Sequence, residues 1–432
     1  MGGVFLDCYH IEGGVPLRGE YRVKGAKNSA LPILAAAAAK PGVHEIHDCP
    51  RIDDVFVMEE ILRSLGADTI FEGNCLKIDT RNMEGTKVSR ETMSRMRSSV
   101  FLMGSLLARH GEATVHRPGG CRIGKRPIDI HIDGLQQMGF CVESRGEEIR
   151  CSGRCRGGRI RLPYPSVGAT ENLMMAALSG EDETVIENCA CEPEIADLQG
   201  FLRTCGFDVT GGGTGRITVR GMPKMFGRTE ETAQRDTMYF IVEDRIEAAT
   251  YMAAVLASGG RAVFRNIRAE LMGEVLRVFQ SMGACVRSFG DVIEIIAPKE
   301  LKSPGIVITS PFPGFPTDCQ PQLMTLCTGA GGLTTIREEV FESRFAHKKE
   351  LAKMGANIDI CGKNAIIKGG LPLKGAEVSA ADLRGGAALV IAGLSAWGET
   401  DVKDIYHIDR GYENFDEGLR QLGGLIERRT CD

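Results

Sequence analysis

The stretches LRSLGAD (62–68), LQQMGFC (135–141), LRTCGFD (202–208), FQSMGAC (279–285), LAKMGAN (351–357) and LRQLGGL (419–425) are one motif written six times. Each reads as the last turn of a helix, a glycine in the position just past its end, and the start of a strand. The glycines fall at 66, 139, 206, 283, 355 and 423. Their mean spacing of about 71 residues is too long for a solenoid repeat and suits a small α/β unit. After each glycine come two short alternating runs, as in ADTIFEGNCLKIDT (67–80) and FDVTGGGTGRITVRG (207–221), which predict a hairpin.

A second element recurs upstream of the first. GAKNSALPILAAAAA (25–39), MRSSVFLMGSLLA (96–108), SVGATENLMMAAL (166–178), DRIEAATYMAAVLA (244–257), FPTDCQPQLMTLC (315–327) and DLRGGAALVIAGL (382–394) each place a polar turn before an apolar run. These helices are apolar nearly all round, which predicts burial inside their own domain with strands packed about them. One unit therefore reads strand, buried helix, strand, surface helix, hairpin. The predicted fold is α/β, a two-domain inside-out α/β barrel of six units of about 72 residues, three per domain. The first strand, Val4 to Ile11, precedes the first unit, so its expected partners lie in the last units. The expected domains are residues 1–22 with 236–432, and 23–235, the latter carrying the loop around Cys121.

Composition narrows the function. With 43% hydrophobic and 25% charged residues, the chain falls in the globular range. The formal net charge is −5, without a basic block, which argues against nucleic acid or an anionic membrane as partner. The longest apolar stretch, Ala30 to Ala39, is far short of the ~20 residues that span a bilayer. Fifteen scattered cysteines after a start lacking signal-peptide features predict reduced thiols in a cytoplasmic protein. No CxxC pair occurs, and no metal site or cofactor is expected. Glycine supplies 54 of 432 residues, well above the usual ~7%, so tight turns and close backbone approaches are frequent.

Any anionic ligand must then be held by a local cluster. Helix N-termini favour anions, and the six buried helices begin near Lys27 and Asn28, Arg97, Ser166 and Gly168, Asp244 and Arg245, Asp318, and Arg384. Cations recurring at equivalent turns point to one anionic ligand. A second cluster is RPGGCRIGKR (117–126), where Arg117, Arg122, Lys125 and Arg126 surround Cys121. Nearby cations favour the thiolate, so Cys121 is either a reactive group or a passive thiol like the others. Gly119, Gly124 and Lys125 match a P-loop only until Arg126 replaces the hydroxyl that would hold magnesium. Asp318 reads equally as an N-cap or as a general base. In VFESRFAHKKEL (340–351), Glu342, Arg344 and His347 gather at a loop-to-helix junction, where spacing alone decides nothing.

Seven motifs, GAKNSALP (25–32), RPGGCRIGKRPIDIH (117–131), SVGATEN (166–172), FPTD (315–318), FESRF (341–345), DLR (382–384) and HIDRGYE (407–413), occur in the order found in a known family. From Cys8 to the C-terminus the chain resembles the UDP-N-acetylglucosamine 1-carboxyvinyltransferases, enolpyruvyl transferases that open peptidoglycan precursor synthesis. The resemblance implies two substrates, phosphoenolpyruvate and UDP-N-acetylglucosamine, and an active site between domains that closes on them. It implies that Lys27, Asn28, Arg126, Arg384 and Arg410 serve phosphoenolpyruvate, with Lys27 and Arg410 also catalytic. Arg97, Arg126, Pro127, Ile128, Asp129, Ile130, Pro163, Ser166, Val167, Gly168, Asp318 and Val340 would contact the nucleotide sugar. Asp318 would take the proton from the sugar 3′-hydroxyl. Cys121 would act as general acid and form an adduct with phosphoenolpyruvate. Alternatives are a transferase for another acceptor hydroxyl and a non-catalytic paralogue that binds the nucleotide sugar. Two departures stand out: Pro165 replaces the Lys common before SVGAT, and Gly385 and Gly386 replace small hydroxyl residues.

Overall fold

In the computed structural model, residues 6–117, 128–221 and 236–431 are described. The chain is a mixed α/β protein, with six small sheets among the described residues. All six motif glycines have positive φ, at 100°, 95°, 94°, 101°, 95° and 85° in chain order, the left-handed geometry that ends a helix and that side chains disfavour.

The described residues from Gly25 to Val242 form one compact unit. Its buried helices are Lys27–Ala37, Leu102–His110, which follows the 3-10 turn Arg97–Phe101, and Val167–Ala176. Three sheets and the surface helices Asp53–Ser64, Asp129–Gln137 and Pro193–Thr204 belong to the same unit. The sheet Asp208–Thr210, Arg216–Arg220, Glu183–Glu187, Gly158–Arg161 exemplifies the repeat. Gly158–Arg161 runs parallel to Glu183–Glu187 because the buried helix returns the chain in the same direction, and the hairpin then adds antiparallel. Small residues let the helices approach: a Cβ at Gly104 would collide with the carbonyl of Asn172 on the neighbouring helix.

The other unit comprises the described residues up to Lys24 and from Glu243 onward. Its buried helices, Arg245–Ala257, Gln320–Gly329 and Leu383–Ser395, pack against one another beneath three four-stranded sheets. Leu6–Glu12 lies antiparallel between Glu399–Lys403 and Leu425–Cys431. The two compact units meet along the chain at Lys24–Gly25 and Val242–Glu243. The reason is strand pairing: Thr237–Phe240 runs parallel to Val43–His47 in the first unit, while Arg18–Arg22 runs parallel to Arg261–Arg265 in the second. Each unit thus takes its closing strand from the segment that precedes the other unit's first helix.

One expectation is corrected. Cys8 and Cys431 form a disulfide, so the thiols are not all reduced. The antiparallel register sets Cys8 opposite Arg429 and Leu6 opposite Cys431, which brings the two cysteines to a Cα separation of 5.9 Å. Among the described residues twelve cysteines are free, seven of them buried. No helix among these residues is long and apolar enough to cross a membrane.

Candidate functional site

In the unit from Gly25 to Val242, Lys27 is the first residue of its helix and only 8% exposed. Its Nζ lies 2.7 Å from Oδ2 of Asp54, itself buried in the first turn of Asp53–Ser64. Asn28 is half-buried beside it, and Pro32 has no N–H to offer the Asn28 carbonyl four residues earlier. The turn is anchored by Asp197, which accepts hydrogen bonds from Ser29 Oγ, from Tyr239 Oη at 2.7 Å and from the Val242 amide at 3.1 Å.

A second group forms around the start of Val167–Ala176. Ser166 caps that helix by accepting from the Ala169 amide. A Cβ at Gly168 would stand 3.3 Å from the Phe101 ring and 3.6 Å from His131 Nε2. The 3-10 turn begun by Arg97, the Ser166–Gly168 turn and the helix carrying Asp129 and Ile130 therefore converge. Ile128 is buried at the start of that helix. His131 is held down to a pKa of about 3 by burial and by the Arg97 charge, so it is neutral at pH 7. The Asn172 amide nitrogen lies 3.1 Å from His131 Nδ1, and Asn172 Oδ1 accepts from the Gly104 amide at 2.7 Å. With Nδ1 assigned as acceptor, Nε2 carries the proton. Pro163 is exposed, and the Pro165 turn closes through the Ser166 amide donating to the Tyr164 carbonyl at 2.7 Å.

Glu171 in the same helix is 1% exposed, and neither oxygen hydrogen-bonds to a described residue. Burial, reinforced by Glu194 and Glu192, raises its pKa well above the ordinary ~4.3. A proton held in the folded state but lost on unfolding makes stability fall as pH rises above that ordinary value. Glu171→Gln should therefore flatten the decline in urea midpoint between pH 5 and pH 8. A variant with the wild-type pH slope would show that this carboxyl does not titrate as assigned.

The other unit gathers carboxylates and guanidinium groups at three helix starts. Asp244 caps Arg245–Ala257 through the Ile246 and Glu247 amides at 2.8 and 2.9 Å, and Asp382 caps Leu383–Ser395 through the Arg384 and Gly385 amides at 3.1 and 3.0 Å. Asp318 is different. The cap positions beside it are Pro316 and Cys319, neither of which caps through its side chain. Its carboxylate instead meets Arg344 Nη2 at 2.6 Å and Arg384 Nη2 at 3.5 Å. Both arginines are 2% exposed, and Arg384 lies 5.2 Å over the Tyr412 ring. Asp318 thus is not an N-cap here: half-buried, it faces two buried guanidinium groups. Burial pushes the adjacent Cys319 thiol up to about 12 and His347 down to about 4, leaving both neutral at pH 7.

The remaining candidates are placed as follows. Val340 is half-buried, its amide donating to Glu338 at 2.9 Å. Arg410 is half-buried at the end of Tyr406–Asp409. Glu342 is exposed, whereas Arg344 is buried. Gly385 leaves no room for the common hydroxyl residue without adjustment, since a Cβ there would stand 2.7 Å from Asp382 Oδ2. Cys121, Arg126 and Pro127 lie outside the described residues. Among those described, no group of three or more His, Cys, Asp and Glu could hold a metal ion. Sequence reasoning missed Asp54, His131 and Asn172. The last two sit inside quoted motifs, whereas Asp54 carries no local signal beyond a helix start.

The family described as EPSP synthase (3-phosphoshikimate 1-carboxyvinyltransferase) matches residues 11–419. UDP-N-acetylglucosamine 1-carboxyvinyltransferase 2 of Caldanaerobacter subterraneus subsp. tengcongensis is 44% identical, covering 98% of this chain and 100% of that protein. UDP-N-acetylglucosamine 1-carboxyvinyltransferase 1 of Symbiobacterium thermophilum is 45% identical, with 98% and 95% covered. The solved structure of the enolpyruvyl transferase NikO from Streptomyces tendae shares the fold, with a TM-score of 0.86 over 99% of this chain and 100% of that one at 24% identity. Identity of this extent to curated relatives, over nearly every residue of both partners, means that the chain belongs to the UDP-N-acetylglucosamine 1-carboxyvinyltransferase family of enolpyruvyl transferases.

Proposed function

We propose that this protein transfers the enolpyruvyl group of phosphoenolpyruvate to the 3′-hydroxyl of UDP-N-acetylglucosamine, releasing phosphate, as the first committed step of peptidoglycan synthesis in the cytoplasm. The observation that carries the reading is Asp318, a carboxylate placed between two buried guanidinium groups in a chain of this family. The proposed architecture is a pair of inside-out α/β barrels of three repeats each.

In the proposed reaction Asp318 accepts the hydroxyl proton as the oxygen attacks C2 of phosphoenolpyruvate, and Cys121 delivers a proton to the methylene carbon. The tetrahedral phospho-ketal then loses a proton and phosphate, restoring the double bond. Lys27, Asn28, Arg126, Arg384 and Arg410 meet the carboxylate and phosphate. The positive charge of the lysine and the arginines among them is a large term, because a preorganised charge needs no reorganisation as charge develops. The helix start at Lys27 adds its dipole to the same end. Arg97, Arg126 to Ile130, Pro163, Ser166 to Gly168 and Val340 hold the nucleotide sugar. The approach of Gly168 to neutral His131, which also feels the Arg97 charge, supports this grouping. Pro165 leaves that turn to contribute backbone and the Ser166 hydroxyl in place of a lysine charge.

The test is direct. Purified protein mixed with both substrates should release phosphate in step with enolpyruvyl product. Phosphate release only with a different acceptor hydroxyl would reassign the substrate, and nucleotide-sugar binding without release would identify a non-catalytic paralogue.

A further inference from the structure

We propose that Arg428, in the last strand, is a positioning residue for Arg410, acting through Asp409 to fix the backbone that carries it; this rests on Arg410 serving phosphoenolpyruvate. Arg410 follows the one-turn helix Tyr406–Asp409 and precedes a left-handed residue, Asn414 at φ 48°, that opens the helix Phe415–Gln421. Its place therefore depends on what anchors the residues on either side. On the C-terminal side Tyr412 is 2% exposed, with Oη 2.8 Å from Thr250 Oγ1 and its ring beneath the Arg384 guanidinium. The Glu413 carbonyl then accepts from Lys24 Nζ at 3.0 Å. On the N-terminal side the anchor is Asp409, whose carboxylate takes both tips of the Arg428 fork, Nη1 at 3.1 Å and Nη2 at 2.9 Å.

Arg428 is itself held. Its Nε donates to Asp7 Oδ2 at 2.8 Å on the neighbouring strand Leu6–Glu12, and the Cys8–Cys431 disulfide ties the same two strands beside it. Burial raises the pKa of the Asp409 carboxyl against the pull of Arg428, with Asp7 and Asp416 adding to the rise, so Arg428 is the group that favours the ionised form. Two parallel N–H···O contacts fix the rotation of a carboxylate as well as its distance, which a single point charge does not. The Arg428 and Asp409 side chains are 41% and 21% exposed, and an ion pair so open to solvent adds little stability. A two-pronged contact one residue before a substrate-binding cation is better accounted for by geometry, since small misplacements of a binding group are costly in rate.

Arg428→Gln and Arg428→Lys, each alone and combined with Arg410→Gln, test the proposal through kcat/KM for phosphoenolpyruvate, calorimetric affinity for UDP-N-acetylglucosamine and a melting curve. Arg428→Gln should lower kcat/KM for phosphoenolpyruvate about tenfold, with nucleotide-sugar affinity held within about twofold and melting close to the parent's. Arg428→Lys, which keeps the charge without the fork, should lose about fivefold. Neither should lower kcat/KM further when Arg410 is already Gln, because a positioning group has no effect without the group it positions. A value for Arg428→Gln or Arg428→Lys within about twofold of the parent overturns the proposal, as do losses that multiply in full in the double variants. Equal losses of nucleotide-sugar affinity and of kcat/KM would identify a general structural role and overturn it too. If Arg428→Gln does not fold, Asp409→Asn, which keeps one oxygen for the fork, carries the same comparison. An unchanged kcat/KM in Arg410→Gln alone would instead remove the assignment of Arg410 to phosphoenolpyruvate, a result separable from failure of the Arg428 contact.

Discussion

Asp318→Asn should lower kcat by about 10³-fold, within the range that general-base removal costs, while the nucleotide sugar still binds. The substitution preserves shape and keeps one oxygen to accept from Arg344, so the turn need not collapse. It removes the negative charge shared by two guanidinium groups that are each 2% exposed. Truncating one partner of a fully buried pair costs about 3–5 kcal/mol. Here the loss should be nearer 1–2 kcal/mol, because the Asp318 side chain is 27% exposed and Asp382 remains 3.8 Å from Arg344. Single-turnover phosphate release checks the chemical step, and a melting curve on the same sample separates it from unfolding. A kcat within about tenfold of the parent would sink the base assignment.

Much of the fold was legible because two periodic signals agreed. The six Gly motifs mark helix ends through a backbone requirement, positive φ, that few other residues satisfy. The apolar runs at 25–39 and 382–394 mark buried helices by having no polar face. The pairing of Thr237–Phe240 was not legible. Nothing in TMYF (237–240) distinguishes pairing with Val43–His47 from pairing with the strand that follows it in sequence, since both are half-buried surfaces of similar composition. The Cys8–Cys431 bond escaped for a related reason: a separation of 423 residues carries no local pattern, and only the register of the terminal strands brings the sulfurs together.

The candidate site was legible in its motifs but not in its partnerships. Asp244, Asp318 and Asp382 all precede buried helices, yet two act as caps and one faces arginines. What separates them is a side chain 26 residues away, Arg344, in a segment with no periodic pattern to place it. His131 illustrates the same limit. No pattern in the sequence around it marks its environment, while burial and Arg97 make it a neutral hydrogen-bonding group.

Lys27→Met should lower kcat/KM for phosphoenolpyruvate by about 10²–10³-fold, the scale of losing one preorganised charge-stabilising donor. It should also destabilise the protein, for a separate reason. Lys27 and Asp54 have side chains 10% and 5% exposed, with 2.7 Å between their charged atoms. Loss of the ammonium takes the Lys27 counter-charge from the buried Asp54 carboxylate, at a cost of about 3 kcal/mol. An ammonium has three donors, so Lys27 can keep Asp54 while donating to a substrate anion. Asp54 then serves to hold the ammonium at the helix start where the dipole favours the same anion. The two effects come apart in Lys27→Met combined with Asp54→Asn. That pair should recover most of the lost stability, since no buried charge remains unpaired, and recover none of the lost kcat/KM. Urea midpoints and initial rates on the single and double variants check both halves. Recovery of turnover in the double variant would mean that the Lys27 charge is not what phosphoenolpyruvate requires, and a stability loss below about 1 kcal/mol in Lys27→Met would mean that the pair is not held as a buried charge.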